Sequence, residues 1–263
     1  MYLRTATEDV LGWGNPQQRL KQALAKDDFL LYAQPMRALK PEPGDAPCLE
    51  ILLRLREEED NMLPPGGFFP FAAALDMLED IDRWVVRHTI AWCARTEIRL
   101  RSPVCCINLS SSALRNPEFA SFVRAQINAA GIPGRCLCFE IGEADALEYP
   151  QEFRGFIGAL RTQGCRFTLE NFGSVQVSFT HIRNLPIDYL KIDSGIIHGI
   201  LRGPGELARA RAISTTCRKL GIYSVATHVE TPDVLAKLAE IGFDYAQGFI
   251  IAQPVPLSGI GLD

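Results

Sequence analysis

Single charges recur inside otherwise apolar stretches of this chain: Glu50 in LEILLRLR (49–56), Glu140 in CLCFEIG (136–142) and Glu170 in RFTLENFG (166–173). Lys191 sits the same way in YLKID (189–193), and Asn108 lies near the end of VCCINLS (104–110). Arg54, Glu143, Asn171, Asp193, Thr227, Glu230 and Gln247 fall at or just past the ends of comparable runs. One charge in an apolar run is most simply a buried group with a partner. Seven runs that each place a polar group at the corresponding end need another explanation. Oxygen donors interleaved with a lysine, an arginine and amides describe a site for a divalent cation and a phosphate, where a metal would activate water or polarise a phosphoryl oxygen.

Such groups meet only if the elements carrying them converge. Strand-like runs at 29–36, 49–56, 104–110, 136–142, 166–173, 189–193, 223–230 and 245–251 alternate with helix-like segments. Residues 150–163 and 207–220 have apolar side chains at helical spacing. Residues 231–242 open with Thr231 as N-cap and Pro232 in the first turn, and close at Gly242. Alternation of this kind predicts parallel strands with right-handed crossovers, and eight of them favour an α/β fold closed into a (β/α)₈ TIM-like barrel. Function then belongs at the C-terminal strand ends. The first two strands break the rule. Only RALKPEPGDAPC (37–48) joins them, too polar and proline-rich for a crossover helix, so an antiparallel first strand and an irregular barrel are expected. Residues 15–27 form a helix with no strand before it, so 1–27 reads as a connector and 28–263 as the barrel. The helix places Leu20, Ala23 and Leu24 on one face. It would either relay a signal from a preceding domain or plug the barrel bottom. REEEDNMLPPGG (56–67) reads as a charged loop ending in a Pro-Pro turn.

The chain has 263 residues, formal net charge −4, 47% hydrophobic and 22% charged residues, an ordinary globular composition. The acidic balance argues against duplex DNA or RNA as a partner. No apolar run reaches the roughly 18 residues of a membrane span, and MYLRTATEDV lacks a signal-peptide core, so a cytoplasmic protein without membrane contact is expected. The eight cysteines show no C-x-x-C spacing and read as small buried hydrophobes in a reducing compartment, not as a zinc site.

Taken in order, the segments E-I-L-L-R (50–54), N-L-S (108–110), E-I-G-E (140–143), E-N-F-G-S-V (170–175), K-I-D (191–193), A-T-H-V-E-T (226–231) and D-Y-A-Q-G-F (244–249) resemble the EAL domain family, phosphodiesterases and receptors for the bacterial messenger cyclic di-GMP. Y-A-Q-P (32–35), L-P-P-G-G-F-F-P (63–70) and L-P-I-D (185–188) extend the resemblance over residues 28–257. It implies a barrel with an antiparallel first strand and, in members that hydrolyse the nucleotide, two Mg²⁺ or Mn²⁺ ions. Glu50, Asn108, Glu140 and Glu170 match metal-ligand positions. Lys191, Glu230 and Gln247 match residues of the catalytic centre, and Glu143 matches the anchor of the loop after the fifth strand. Gln34, Glu50, Leu53, Arg54, Pro70, Asn108, Asp188, Gln247 and Pro254 match nucleotide-contacting positions.

Several residues depart from the family pattern. Two adjacent aspartates are Glu170 and Asn171 here, the Glu-Gly of A-E-G-V-E is Thr227-His228, and a loop glycine is Val175. Asn171 and Thr227 each remove a charge, and Glu170 carries its carboxylate one methylene farther out. The resemblance therefore implies a degenerate domain of the FimX receptor type, which binds cyclic di-GMP, needs no cofactor and does not hydrolyse it efficiently. Retained Glu50 supports the alternative of a weak Mg²⁺- or Mn²⁺-dependent phosphodiesterase. The altered segment A-A-A-L-D (72–76) supports a module working only through a protein effector. Family context adds an upstream GGDEF or sensor domain and a homodimer as expected partners.

Overall fold

The computed structural model describes residues 13–40, 48–57, 61–95, 98, 103–174, 179–183 and 185–260. Val175, the proline-rich stretch 41–47 and the acidic stretch 58–60 lie outside the described residues. The strands are β1 (Phe29–Ala38), β2 (Cys48–Arg56), β3 (Met62–Leu63), β4 (Val104–Asn108), β5 (Leu137–Gly142), β6 (Arg166–Phe172), β7 (Tyr189–Ile192), β8 (Tyr223–Ala226), β9 (Tyr245–Ala246) and β10 (Val255–Pro256). The helices are α1 (Pro16–Lys26), α2 (Pro65–Ala74), α3 (Leu78–Cys93), α4 (Ser111–Arg115), α5 (Pro117–Ala130), α6 (Glu143–Glu148), α7 (Pro150–Arg161), α8 (Phe179–Ile182), α9 (Ser194–Gly199), α10 (Pro204–Leu220) and α11 (Pro232–Ile241).

Eight strands close a barrel in the order β1-β2-β4-β5-β6-β7-β8-β9 and back to β1. Neighbours from β2 round to β9 are parallel, and β1 is antiparallel to both β2 and β9. The short β1–β2 connection causes this, because a parallel pair needs a crossover of a dozen or more residues. The expected irregularity is the observed one. Two short strands were not expected: β3 adds to β2 through Leu55↔Leu63, and β10 adds to β1 through Tyr32↔Pro256.

Alternation along each strand sorts its side chains into two cores. Outward-facing residues such as Ile51, Ile107, Phe139, Phe167 and Leu190 pack with the helices. Phe156 of α7 meets Phe139 edge-on at 5.5 Å and Phe167 at 6.2 Å, seating that helix on the two strands that carry Glu140 and Glu170. Inside the barrel, Met36, Cys48, Cys106, Cys138, Tyr189 and Val225 form a separate apolar cluster. Each lies two residues from a polar candidate, so this cluster is the floor beneath the site. All eight cysteines are buried and free. Burial pushes the Cys165 and Cys217 thiols up to about 12, the condition of inert packing groups.

Two strands are shorter than the sequence suggests. β8 stops at Ala226 and β9 at Ala246, where runs to 230 and 251 were expected. The reason is close contact between the two loops over the barrel mouth. A Cβ on Gly248 would lie 2.1 Å from the Val229 carbonyl oxygen, and the Val229 N–H donates to the Gln247 carbonyl at 2.9 Å. Helix α1 forms as expected, capped by Asn15 Oδ1 accepting from Gln18 N–H at 3.0 Å, with Leu20 and Ala23 buried. It does not plug the bottom. Because β1 runs opposite to its neighbours, α1 enters at the mouth end. There Arg19 pairs with Asp28 at 2.9 Å and Glu57 at 3.4 Å, and donates to the Arg56 carbonyl at the end of β2. Among the described residues, no helix is long and apolar enough to cross a membrane.

Candidate functional site

A cavity of about 300 Å³ opens at the C-terminal ends of the parallel strands. β2 supplies Glu50 and Arg54, β6 Glu170 and Asn171, β7 Lys191, and the loops after β8 and β9 Thr227, His228, Glu230 and Gln247. Consecutive residues Glu170 and Asn171 share the cavity because β6 is irregular against β7 between Leu169 and Phe172, with Asn171 at φ +57°. Such bulges re-aim side chains next to sites, and asparagine tolerates the left-handed conformation better than most residues.

Lys191 is the centre of the site. Its side chain is almost fully buried, and Nζ lies 2.6 Å from Glu140 Oε2, 2.9 Å from Glu50 Oε2 and 3.3 Å from Glu170 Oε1. Burial works against the ammonium, but Glu140, Glu50 and Glu170 outweigh it and hold its pKa well above the ordinary lysine value. A chain of amides fixes Glu50. Gln34 Nε2 donates to the Ala252 carbonyl at 2.9 Å, Gln247 Nε2 donates to Gln34 Oε1 at 3.2 Å and to Glu50 Oε2 at 2.6 Å, and Asn108 Nδ2 donates to Glu50 Oε1 at 2.9 Å. Burial alone would raise the Glu50 pKa, but Lys191 and these donors hold it below the usual carboxylate value. Glu140 goes the other way: burial drives its carboxyl well above that value, and Glu50 and Glu170 add to the effect against Lys191.

Glu50, Glu140 and Glu170 each bring a carboxylate oxygen within 4.8 Å of the others, and Glu140 Oε1 is buried with no hydrogen-bond partner. An all-oxygen set with an orphaned acceptor fits one hard divalent cation. Held there, such an ion would polarise a phosphoryl oxygen or activate water. A second ion is less well provided for. Asn171 is neutral, and Thr227 Oγ1 donates to the Ile192 carbonyl at 3.0 Å, committing its proton to the barrel wall. Glu143 accepts from the Gly173 N–H at 3.1 Å and so anchors the segment after β6.

Of the nucleotide-contacting candidates, Gln34, Glu50, Arg54, Gln247 and Pro254 line the cavity, and Asn108 reaches its edge through Glu50. Three are not among its lining residues, and for Leu53 and Asp188 the structure corrects the expectation. Leu53 is buried in the outer core because its neighbours Leu52 and Arg54 take the inward face. Asp188 lies at the opposite, N-terminal end of β7, where it pairs with Arg161 at 2.9 Å and accepts from Phe167 N–H at 2.9 Å. Pro70 is exposed inside α2. Leu52 and Phe249 line the cavity without having been singled out. Alternation with Arg54 would have found Leu52, and Phe249, 64% exposed, closes the D-Y-A-Q-G-F segment whose Gln247 alone was named as a site residue.

The family description "EAL domain" matches residues 17–254 of this chain. The chain belongs to the EAL domain family. Curated relatives of this EAL domain include the cyclic di-GMP phosphodiesterase PdeB of Shewanella oneidensis, 32% identical over 240 residues, and the cyclic di-GMP phosphodiesterase PdeF of Escherichia coli, 30% identical over 257 residues. The matches cover 91% and 98% of the chain but only 28% and 34% of those proteins, so the chain spans about a third of their length. Among solved structures, the FimX EAL domain from Pseudomonas aeruginosa bound to c-di-GMP superposes with a TM-score of 0.85 at 27% identity, covering 92% of this chain and 96% of that one. The Xanthomonas citri FimX EAL domain in complex with c-diGMP gives 0.86 at 26% identity, covering 94% and 96%.

Proposed function

We propose that this EAL domain is a cyclic di-GMP receptor that does not hydrolyse the nucleotide at a useful rate. Lys191 carries this reading: its ammonium already lies among Glu50, Glu140 and Glu170, so the buried carboxylates have a counter-ion without a metal. Arg54 is half-buried at the cavity wall, stacked over the Tyr32 ring at 5.3 Å, and forms no ion pair among the described residues. Its Nη1 donates to the Leu53 carbonyl at 2.7 Å, and its remaining N–H groups can grip a phosphodiester as charge-assisted donors. Asn171 and Thr227 leave the water-side of the cavity without the carboxylates that two-metal hydrolysis requires. Loss of two such groups takes several kcal/mol of transition-state stabilisation, about tenfold in rate per 1.4 kcal/mol.

The retained glutamate triad favours a second reading, a weak phosphodiesterase holding one Mg²⁺ or Mn²⁺. Calorimetric titration with cyclic di-GMP in EDTA and in Mn²⁺, followed by chromatography for linear pGpG, separates the two. The receptor binds in both buffers and leaves the nucleotide intact. Binding that vanishes in EDTA, or turnover within tenfold of an intact family member, would refute it. An upstream GGDEF or sensor domain, a protein effector and a homodimer belong to the same proposal, with α1 as the connector.

A further inference from the structure

We infer that His228 is a ligand-binding residue of this domain and donates to the second phosphodiester of a bis-phosphodiester nucleotide, from a different wall of the cavity than Arg54. This rests on the receptor reading above. A cyclic dinucleotide carries two phosphodiesters, and the cavity lining holds two permanently cationic side chains, Arg54 and Lys191. Lys191 is committed to three carboxylates, which leaves Arg54 for one phosphate. His228 lies on the loop after β8, separated from β2 around the barrel by β9 and β1, and its exposed side chain lines the same cavity.

Its backbone is held for the purpose. His228 adopts φ +55°, the left-handed region in which glycine is the least strained choice. The positions on both sides are pinned: Thr227 Oγ1 donates to the Ile192 carbonyl at 3.0 Å, and Val229 N–H donates to the Gln247 carbonyl at 2.9 Å. His198 Nε2, on α9, donates to the His228 carbonyl at 3.2 Å. A histidine kept in a conformation suited to glycine, on a fixed loop, with its ring lining the cavity and steadied edge-on by the His198 ring at 6.4 Å, is pre-organised for a ligand. The imidazole offers a donor to a phosphate oxygen whether neutral or charged.

The test uses His228→Gly and His228→Asn, both compatible with left-handed backbone, and His228→Lys, which keeps a long side chain with an N–H donor. Affinity for cyclic di-GMP is measured by calorimetry at pH 6.0, with melting temperature as a check on folding. We expect the Gly and Asn variants to bind 5- to 20-fold more weakly at unchanged melting temperature, and the Lys variant to stay within threefold of wild type. The His228 ring resonance should shift on saturation in wild type. Gly and Asn variants binding within twofold of wild type, or tighter, overturn the contact while leaving the receptor reading intact. Wild type that does not bind removes both.

Discussion

At the scale of single residues, the site is governed by where charge is neutralised. Lys191→Met should be strongly destabilising, about 3–5 kcal/mol, because it strands buried carboxylates beside one another; chemical denaturation measures this directly. Arg54→Ala should leave stability nearly unchanged and weaken cyclic di-GMP binding by about 1.5–3 kcal/mol, the range for a lost hydrogen bond to a charged group. Calorimetry on the two variants distinguishes a structural cation from a ligand-facing one. Another buried ionisable group is Asp82. Asp82 on α3 accepts from Ser110 N–H at 3.1 Å and Ser110 Oγ–H at 2.6 Å, while burial pushes its pKa from 3.8 up to about 7 against the lowering by Ser110. Between those two values the folded protein holds a proton that the unfolded chain releases. Asp82 therefore costs stability as pH rises through that window, by at most about 1.4 kcal/mol per unit, and the loss levels off above about pH 7. Urea midpoints of wild type and Asp82→Asn from pH 4.5 to 8 should converge or cross in favour of the variant as pH rises; parallel curves would reject the assignment.

At the scale of elements, what could be read in the sequence depended on whether local pattern or distant contact decided the outcome. The barrel strands around Glu50, Glu140 and Glu170 were legible because apolar runs bounded by polar turns fix them locally. The truncated ends of β8 and β9 were not, because the fit of Gly248 against Val229 is made between loops 19 residues apart in sequence. The bulge that turns both Glu170 and Asn171 to the cavity was equally invisible, being a register shift against β7. Asp188 and Leu53 show the opposite failing: a motif match fixed their identity but not which end or face of the strand they occupy. Helix α1 touches the end of β2 through Arg19, so ligand captured by Arg54 should slow amide exchange in β1 and β2 and extend that protection into residues 16–26. Unchanged exchange in the helix, with slowed exchange in the strands, would rule out α1 as a relay.

At the scale of the molecule, the EAL barrel keeps its architecture, and two positions at its mouth, Asn171 and Thr227, carry no charge. The triple variant Glu170→Asp, Asn171→Asp, Thr227→Glu should therefore recover Mn²⁺-dependent conversion of cyclic di-GMP to pGpG, at least a hundredfold above wild type by chromatographic assay. If the triple variant folds and binds but stays inactive, the defect lies beyond these residues. Family and barrel were legible from motif order alone; catalytic competence was not, because it turns on placements near 0.5 Å that motif spacing does not report.

The reversed first strand has a mechanical consequence. β1 is bound to β2 from Phe29↔Leu55 down to Met36↔Cys48, and the chain reaches Phe29 from the mouth side. Tension applied through α1 would load these pairs one after another, as in unzipping, and not all together, as in shear. The first pairs to part would be Phe29↔Leu55 and Leu30↔Arg54, with Gln34↔Glu50 following. Force arriving along the chain from the N-terminal side would thus disturb Arg54 while the far wall of the barrel stayed intact, and a nucleotide bridging that seam would act as a rivet against it.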